Sequence, residues 1–510
     1  MNPVSQADRR RPDGWSYKAV VAAATIPLIV IWVLFLADVP IGRPNFLVYR
    51  YSALSAWRLQ HALIALVIGA AGLAALDRVL YGGNNGRAGW TTGALTAYVG
   101  LVVWVFLAPP QSTAQHSFNM LSPSHEGAFV LEGRTVPSIR EYVARTFYQR
   151  LQQEPEKMRG RRVLSNPPGV TIAAVLAQRL VDSSTPVRSS LVRVFGLQEL
   201  DDPAEEARFA AALLLAIVFM AAWAASLLPA YGLCRLWMPA PAAVVVAFAC
   251  VFNPATVEFS PGKDPAQMFT VLALVHAWCA AYVRGHWAWG LLAGVVLAVS
   301  TMVGLIHVWI VLILGAATLY HAIVTGPGWL VWMRRCALPS AFGALAVVVI
   351  VQAALSWNLP LMLLRLGGRY GQIQPEIITS PFFWTLLGLP MFLLFVGPLL
   401  WIEWTALPRR EHDSTASLGH CLIASVLGVM TYSYYFANNS ETPRLWMPFV
   451  PFLLVGMALR RSSMRQERPN GRTLCILLLG LQLTVTVLHW SMMDVRESEW
   501  RLFTTGRMWD

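Results

Sequence analysis

The 510 residues are 56% apolar and 13% charged, with a mean hydropathy of +0.52. Soluble domains carry about 25% charged residues, so this composition excludes an ordinary soluble domain and points to a polytopic membrane protein. The formal net charge of +12 does not point to nucleic acid: much of it falls in short loops on one expected side of the membrane, where Lys and Arg set orientation, and the remainder suits anionic lipid headgroups or a lipid phosphate.

Backbone groups in lipid must be paired within their own element. The expected fold class is therefore all-α, a polytopic transmembrane helix bundle with an outer loop that contains interfacial helices. Met1 to Tyr17 is polar and basic. The apolar run after it lacks a small-residue cleavage site and reads as an uncleaved first span, its start held in the cytoplasm by Arg9, Arg10, Arg11 and Lys18. About thirteen spans are expected, near residues 19–37, 61–76, 91–108, 207–228, 240–254, 266–284, 287–302, 304–323, 337–356, 381–401, 417–435, 444–459 and 473–491. One long apolar run is split near Thr301–Gly304 into the seventh and eighth.

The chain thus divides into a cytoplasmic tail with three spans (1–108), an outer loop (109–206), a transmembrane bundle (207–491) and an outer tail (492–510). Alternation places Arg78, Arg87, Arg235, Arg284, Arg334, Arg335, Arg409, Arg410 and the Arg460–Arg472 cluster inside, as the positive-inside rule requires. The 21 Trp suit interfacial belts. All six cysteines lie in or beside apolar runs, so no disulfide framework is expected.

The long polar loop holds Ser124-His125-Glu126-Gly127, an amphipathic stretch, Ser165-Asn166-Pro167-Pro168-Gly169 and a second amphipathic stretch. Ile139, Val143, Phe147 and Leu151 recur at helical spacing, as do Ile172, Val175, Leu176 and Leu180. Both stretches predict helices lying in the interface with one face in lipid. The topology brings four stretches to the outer face: Pro109–Glu206, Asn253–Gln267, Asn358–Ser380 and Phe436–Arg444. Loops that meet on a rigid scaffold are where ligand groups gather.

Glu126 is the leading catalytic candidate, a general base beside His125 and followed by Gly127; the plain alternative is a solvated loop acid. Lys263-Asp264 precedes the sixth span, where Lys263 can meet a phosphate and Asp264 can cap the helix. Glu441 and Arg444 stand at the mouth of a late span, able to pair with each other or, through the Arg fork, to hold a phosphate. Arg365 and Arg369 flank Gly367-Gly368 in what reads as a loop able to hold a phosphate or diphosphate, or simply solvated. His276, His307 and His489 lie inside spans without a second ligand at metal spacing and read as packing or hydrogen-bonding residues, and no metal and no cofactor is expected.

This order of motifs resembles the GT-C superfamily of polytopic membrane glycosyltransferases, in the style of the protein mannosyltransferase and aminoarabinose transferase branch. The resemblance rests on Glu126, on Ser165–Gly169 as a counterpart of the His/Lys-Pro-Pro turn, on Phe259–Asp264, and on Glu441–Pro448. It departs in having two earlier spans before the long loop and Asn166 in place of His or Lys.

The resemblance implies sugar transfer from a polyprenyl-phosphate donor to a lipid, glycan or protein acceptor on the outer face of a bacterial inner or plasma membrane. Glu126, Asp264 and Glu441 would serve catalysis; His125, Asn166, Lys263, Arg365, Arg369 and Arg444 would bind substrate. A transporter or flippase of lipid-linked sugars, or a non-catalytic envelope-assembly scaffold, are the other readings. Ionisable residues gathered at one face, rather than at the midplane, favour the enzyme.

Overall fold

Apolar runs that must satisfy their own backbone become helices, and these dominate the chain. The computed structural model describes residues 17–39, 41–42, 47–51, 53–81, 98–105, 126–152, 163–194, 202–377, 391–400, 414–437, 446–459 and 471–497. Helix α1 (Tyr17–Leu36) leads through β1 (Ile41–Gly42) and β2 (Leu47–Tyr51) into α2 (Ala56–Tyr81). Of the expected third span, 98–105 is described and is helical, with Tyr98, Leu101 and Trp104 buried.

The described part of the outer loop is helical. α3 (Gly127–Arg134) is followed by a turn at Ile139–Glu141, where the Glu141 N–H donates to the Ser138 hydroxyl at 3.3 Å. A π-helical turn, Tyr142–Thr146, continues into α4 (Phe147–Gln152). After the Pro-Pro turn come α5 (Gly169–Ser183) and α6 (Thr185–Val194).

The expectation that the first amphipathic stretch has one face in lipid is corrected: Val143, Phe147 and Leu151 are buried in a cluster with Trp357, Leu359 and Met362. In the second stretch Val175 is buried in the same cluster, whereas Leu176 and Leu180 are exposed. Periodicity identifies a common face but not what covers it.

The bundle follows as α7 (Pro203–Ala225), α8 (Leu227–Cys234), α9 (Ala240–Val251), α10 (Pro254–Glu258), α11 (Lys263–Arg284), α12 (Trp287–Thr301), α13 (Ile306–Val324) and α14 (Trp329–Trp332). A π turn at Met333–Ala337 leads to α15 (Leu338–Leu355), then α16 (Leu359–Ile377), α17 (Ser414–Ala437), α18 (Val450–Leu459), α19 (Gly471–Met492) and β3 (Met493–Glu497). Local signals start these helices. Asp202 caps α7, accepting from the Ala204 N–H at 2.8 Å, and Asn253 and Thr256 form a reciprocal capping box on α10.

Six described helical segments are long and apolar enough to cross a membrane: Ala56–Ala75, Pro203–Cys234, Lys263–Arg284, Ile306–Val324, Trp329–Leu355 and Cys475–Met492. Shorter apolar helices accompany them. This is the helical architecture of a membrane protein.

Two further expectations change. Asn358–Ser380 is not a loop along its described length. Its Leu-rich beginning forms α16, with the Leu361 N–H donating to Asn358 Oδ1 at 3.0 Å. A small sheet, ordered β1-β2-β3, also accompanies the helices. β3 occupies the start of the expected outer tail and runs antiparallel to β2, Tyr51 facing Met493. Pairing between segments so far apart leaves no local periodicity to read.

Helices α12 and α15 approach one another closely. A Cβ on Gly290 would lie 2.6 Å from Arg335 O, and one on Gly294 would lie 2.8 Å from Ala344 N. The Ser340 hydroxyl donates across the contact to Gly290 O at 2.9 Å. Small residues let backbones touch where lipid offers no hydrophobic driving force.

Candidate functional site

Segments far apart in sequence meet at the start of α11. Phe129 of α3, Val170 and Ala174 of α5, and Ala266 of α11 share one buried cluster, with Val303 packed against it. Glu126, Lys263, Gln267 and Asn166, on or beside these elements, are buried as well.

The N-cap of α11 is Gly262, which has no side chain with which to cap it. A Cβ there would sit 2.7 Å from Phe259 O, so the tight approach excludes the usual capping residues. The acceptor comes from elsewhere: Glu126 Oε1 takes the Lys263 N–H at 3.4 Å, across 137 residues of sequence. A helix N-terminus favours negative charge, and a carboxylate suits that position. Lys263 Nζ lies 3.1 Å from Asp264 Oδ1. Asp264 was expected to cap α11; it sits instead inside the first turn and holds the lysine. The result is one lysine held by two carboxylates, its backbone N–H by Glu126 and its ammonium by Asp264, with Glu126 5% and Lys263 6% exposed.

The Pro-Pro turn docks onto the linker between α12 and α13. Gly169 N–H donates to Met302 O at 2.8 Å. Asn166 Nδ2 donates to the Ser165 hydroxyl at 3.2 Å. The same linker is fixed to α11: Gly304 leaves space for the Gln267 side chain, where a Cβ would fall 2.5 Å from Gln267 Oε1. His307 joins Gly304 O at 2.9 Å through Nδ1 and the Thr270 hydroxyl at 2.9 Å through Nε2. A carbonyl only accepts, so Nδ1 carries a proton. The expected split near Thr301–Gly304 is thus present, and it clamps the Pro-Pro turn to the helix that carries Lys263.

Arg365 lies elsewhere. It is exposed on α16 and, with Tyr148, Leu151, Gln152, Leu361 and Leu364, lines an open cavity of about 430 Å³ between α4 and α16. The Tyr148 hydroxyl donates to Asn358 O at 2.8 Å, and burial pushes its pKa up to about 12. Gly367-Gly368 belongs to α16, so its amides serve the helix and do not form a phosphate-binding loop. His125, Glu441, Arg444 and the side chain of Arg369 lie outside the described residues. The segment after Arg444, Met447–Phe449, packs against α11, and Trp446 meets Phe392 edge-on at 5.4 Å between ring centroids.

Sequence reasoning missed Glu258. It ends α10 at 4% exposure, five residues before Lys263; burial first, and then the Glu258 charge, push the Tyr51 phenol well above its ordinary range. Tyr51 in turn hydrogen-bonds His489 Nδ1 at 2.8 Å. The spacing of Asn253 and Thr256 marks the capping box and so the short helix, but nothing local marks Glu258 as buried. Gln267 was detectable, since it follows Lys263 by four residues and shares its helical face.

Among the described residues no group of three or more His, Cys, Asp or Glu stands where it can hold a metal ion. The arrangement can accept a proton at a carboxylate and present an ammonium to an anion beside it.

Fold and site together define a helical membrane protein with a buried acid–base cluster where α11 begins. No protein-family model matches the chain, and no curated protein matches it.

Proposed function

We propose that the chain is an integral-membrane glycosyltransferase of about thirteen spans, moving a sugar from a polyprenyl-phosphate donor to an acceptor at the outer face of a bacterial inner or plasma membrane. The observation that carries this reading is the meeting of Glu126 with Lys263 and Asp264 beside the Pro-Pro turn. Glu126 takes the proton of an acceptor hydroxyl, which attacks the anomeric carbon in line and inverts it. The sugar–phosphate bond breaks, and Lys263, with Arg444, neutralises the departing polyprenyl phosphate. Asp264 holds Lys263 in place. The donor's tail stays in the bilayer, which the apolar helices around α11 suit.

The test uses membranes containing the full chain and a labelled polyprenyl-phosphate sugar. Transfer in the wild type, lost by a factor on the order of 10²–10⁴ in Glu126→Gln with normal insertion, is the expected result for a general base. Unchanged transfer in the variant would leave Glu126 only the role of capping α11. No transfer by the wild type with any such donor would remove the enzyme reading and favour a lipid-linked-sugar transporter.

A further inference from the structure

A second charged region lies at the other end of the same helices. α11 runs 22 residues from the candidate site to Arg284, about 33 Å at 1.5 Å per residue. α12 starts, α13 ends and α14 starts at this same far end, as the packing of these helices on one another and the Arg335 contact with Gly285 require.

Arg335 is used within the fold: its guanidinium packs on Gly285 and donates to Tyr282 O at 3.4 Å, closing the C-terminus of α11. Arg284 lies over the Trp289 ring at 5.6 Å and is exposed, and Arg334 is exposed beside Arg335. Around them Trp287 is 61%, Tyr320 62% and Trp329 56% exposed. The sequence contains no Asp or Glu between Asp264 and Glu376. Among the described residues no carboxylate forms an ion pair with Arg284, Arg334 or Arg335.

We propose that this end of the bundle is a docking surface for anionic phospholipid. Arg284 and Arg334 would meet the headgroup phosphate. Trp287, Tyr320 and Trp329 would sit at headgroup level, where amphipathic rings are favoured. The occupant follows from charge: two exposed guanidinium groups with no carboxylate partner among the described residues, set in exposed aromatic and apolar side chains, complement a negative headgroup carrying an acyl chain. The site lies a helix length from Glu126 and is independent of the proposed transfer reaction.

The experiment is native mass spectrometry of the purified full chain with phosphatidylglycerol or phosphatidylcholine of matched acyl chains. The wild type is expected to retain phosphatidylglycerol preferentially. The paired variant Arg284→Gln/Arg334→Gln should lose roughly ten-fold or more of that preference, since one cation near an anionic surface is worth roughly a factor of five. Arg284→Lys/Arg334→Lys should keep most of it, and so should Arg193→Gln, at an exposed arginine in the last turn of α6. The single variants Arg284→Gln and Arg334→Gln give the same reading should the pair fail to fold. The proposal is overturned if the wild type shows no preference, if the Gln variants keep it, or if Arg193→Gln loses it equally.

Discussion

Gly169→Ala tests how the Pro-Pro turn is held. Gly169 is the first residue of α5, and Ala is the better helix former by about 1 kcal/mol, so propensity alone predicts stabilisation. The tertiary contact predicts the reverse. A Cβ at this position would stand 2.8 Å from the Met302 carbonyl carbon and closer still to its oxygen, and both partners are backbone. No rotamer change relieves such an overlap, and overpacking of this kind costs about 1–3 kcal/mol. Separating the two also breaks the 2.8 Å bond from Gly169 N–H to Met302 O, and leaving such an acceptor unmade costs about 1–3 kcal/mol. Net of the propensity gain, the loss is about 1–5 kcal/mol.

Thermal unfolding in detergent reads this difference. At roughly 2 °C per kcal/mol for a large cooperative unit, the midpoint should fall by about 2 °C or more. Gly367→Ala and Gly368→Ala are the controls: nothing lies within 4 Å of a Cβ at either site on α16, and each should be neutral or stabilising by up to about 1 kcal/mol. A Gly169→Ala protein as stable as these controls would refute the docking of the turn on the α12–α13 linker.

Other outcomes follow from the same structure. Arg150 of α4 pairs with Glu132 of α3, which is 1% exposed. Arg150→Ala should cost about 1–3 kcal/mol by removing a charged hydrogen-bond donor from a buried carboxylate, and adding Glu132→Gln should restore part of it in the same unfolding assay. Gly294→Leu should separate α12 from α15, because a Cβ at Gly294 already overlaps Ser340 O; the check is an altered rate of disulfide formation between cysteines introduced on the two helices, and an unchanged rate would count against the close contact. Glu126→Gln keeps an oxygen for the Lys263 N–H. Loss of the charge at the helix N-terminus should lower stability by no more than about 1–2 kcal/mol, so a collapse of folding in this variant would assign Glu126 a larger structural part than a cap.

The sequence by itself determined that the chain is built of apolar helices, because uncharged runs longer than a soluble core needs have few alternatives once their backbone must be satisfied internally. It also singled out Glu126, Lys263, Asp264 and the Ser165–Gly169 turn, since polar residues are scarce against so apolar a background. Their assembly was decided by tertiary structure: the start of α11 takes its acceptor from a residue 137 positions earlier, and no local pattern encodes that meeting. The same holds for the face of α4 turned onto Trp357 and Met362, for Arg365 placed in a separate cavity, and for β3 returning to β2. Periodicity records which side chains share a face, whereas the partner that covers the face depends on contacts between distant segments, which leave no signature in either one alone.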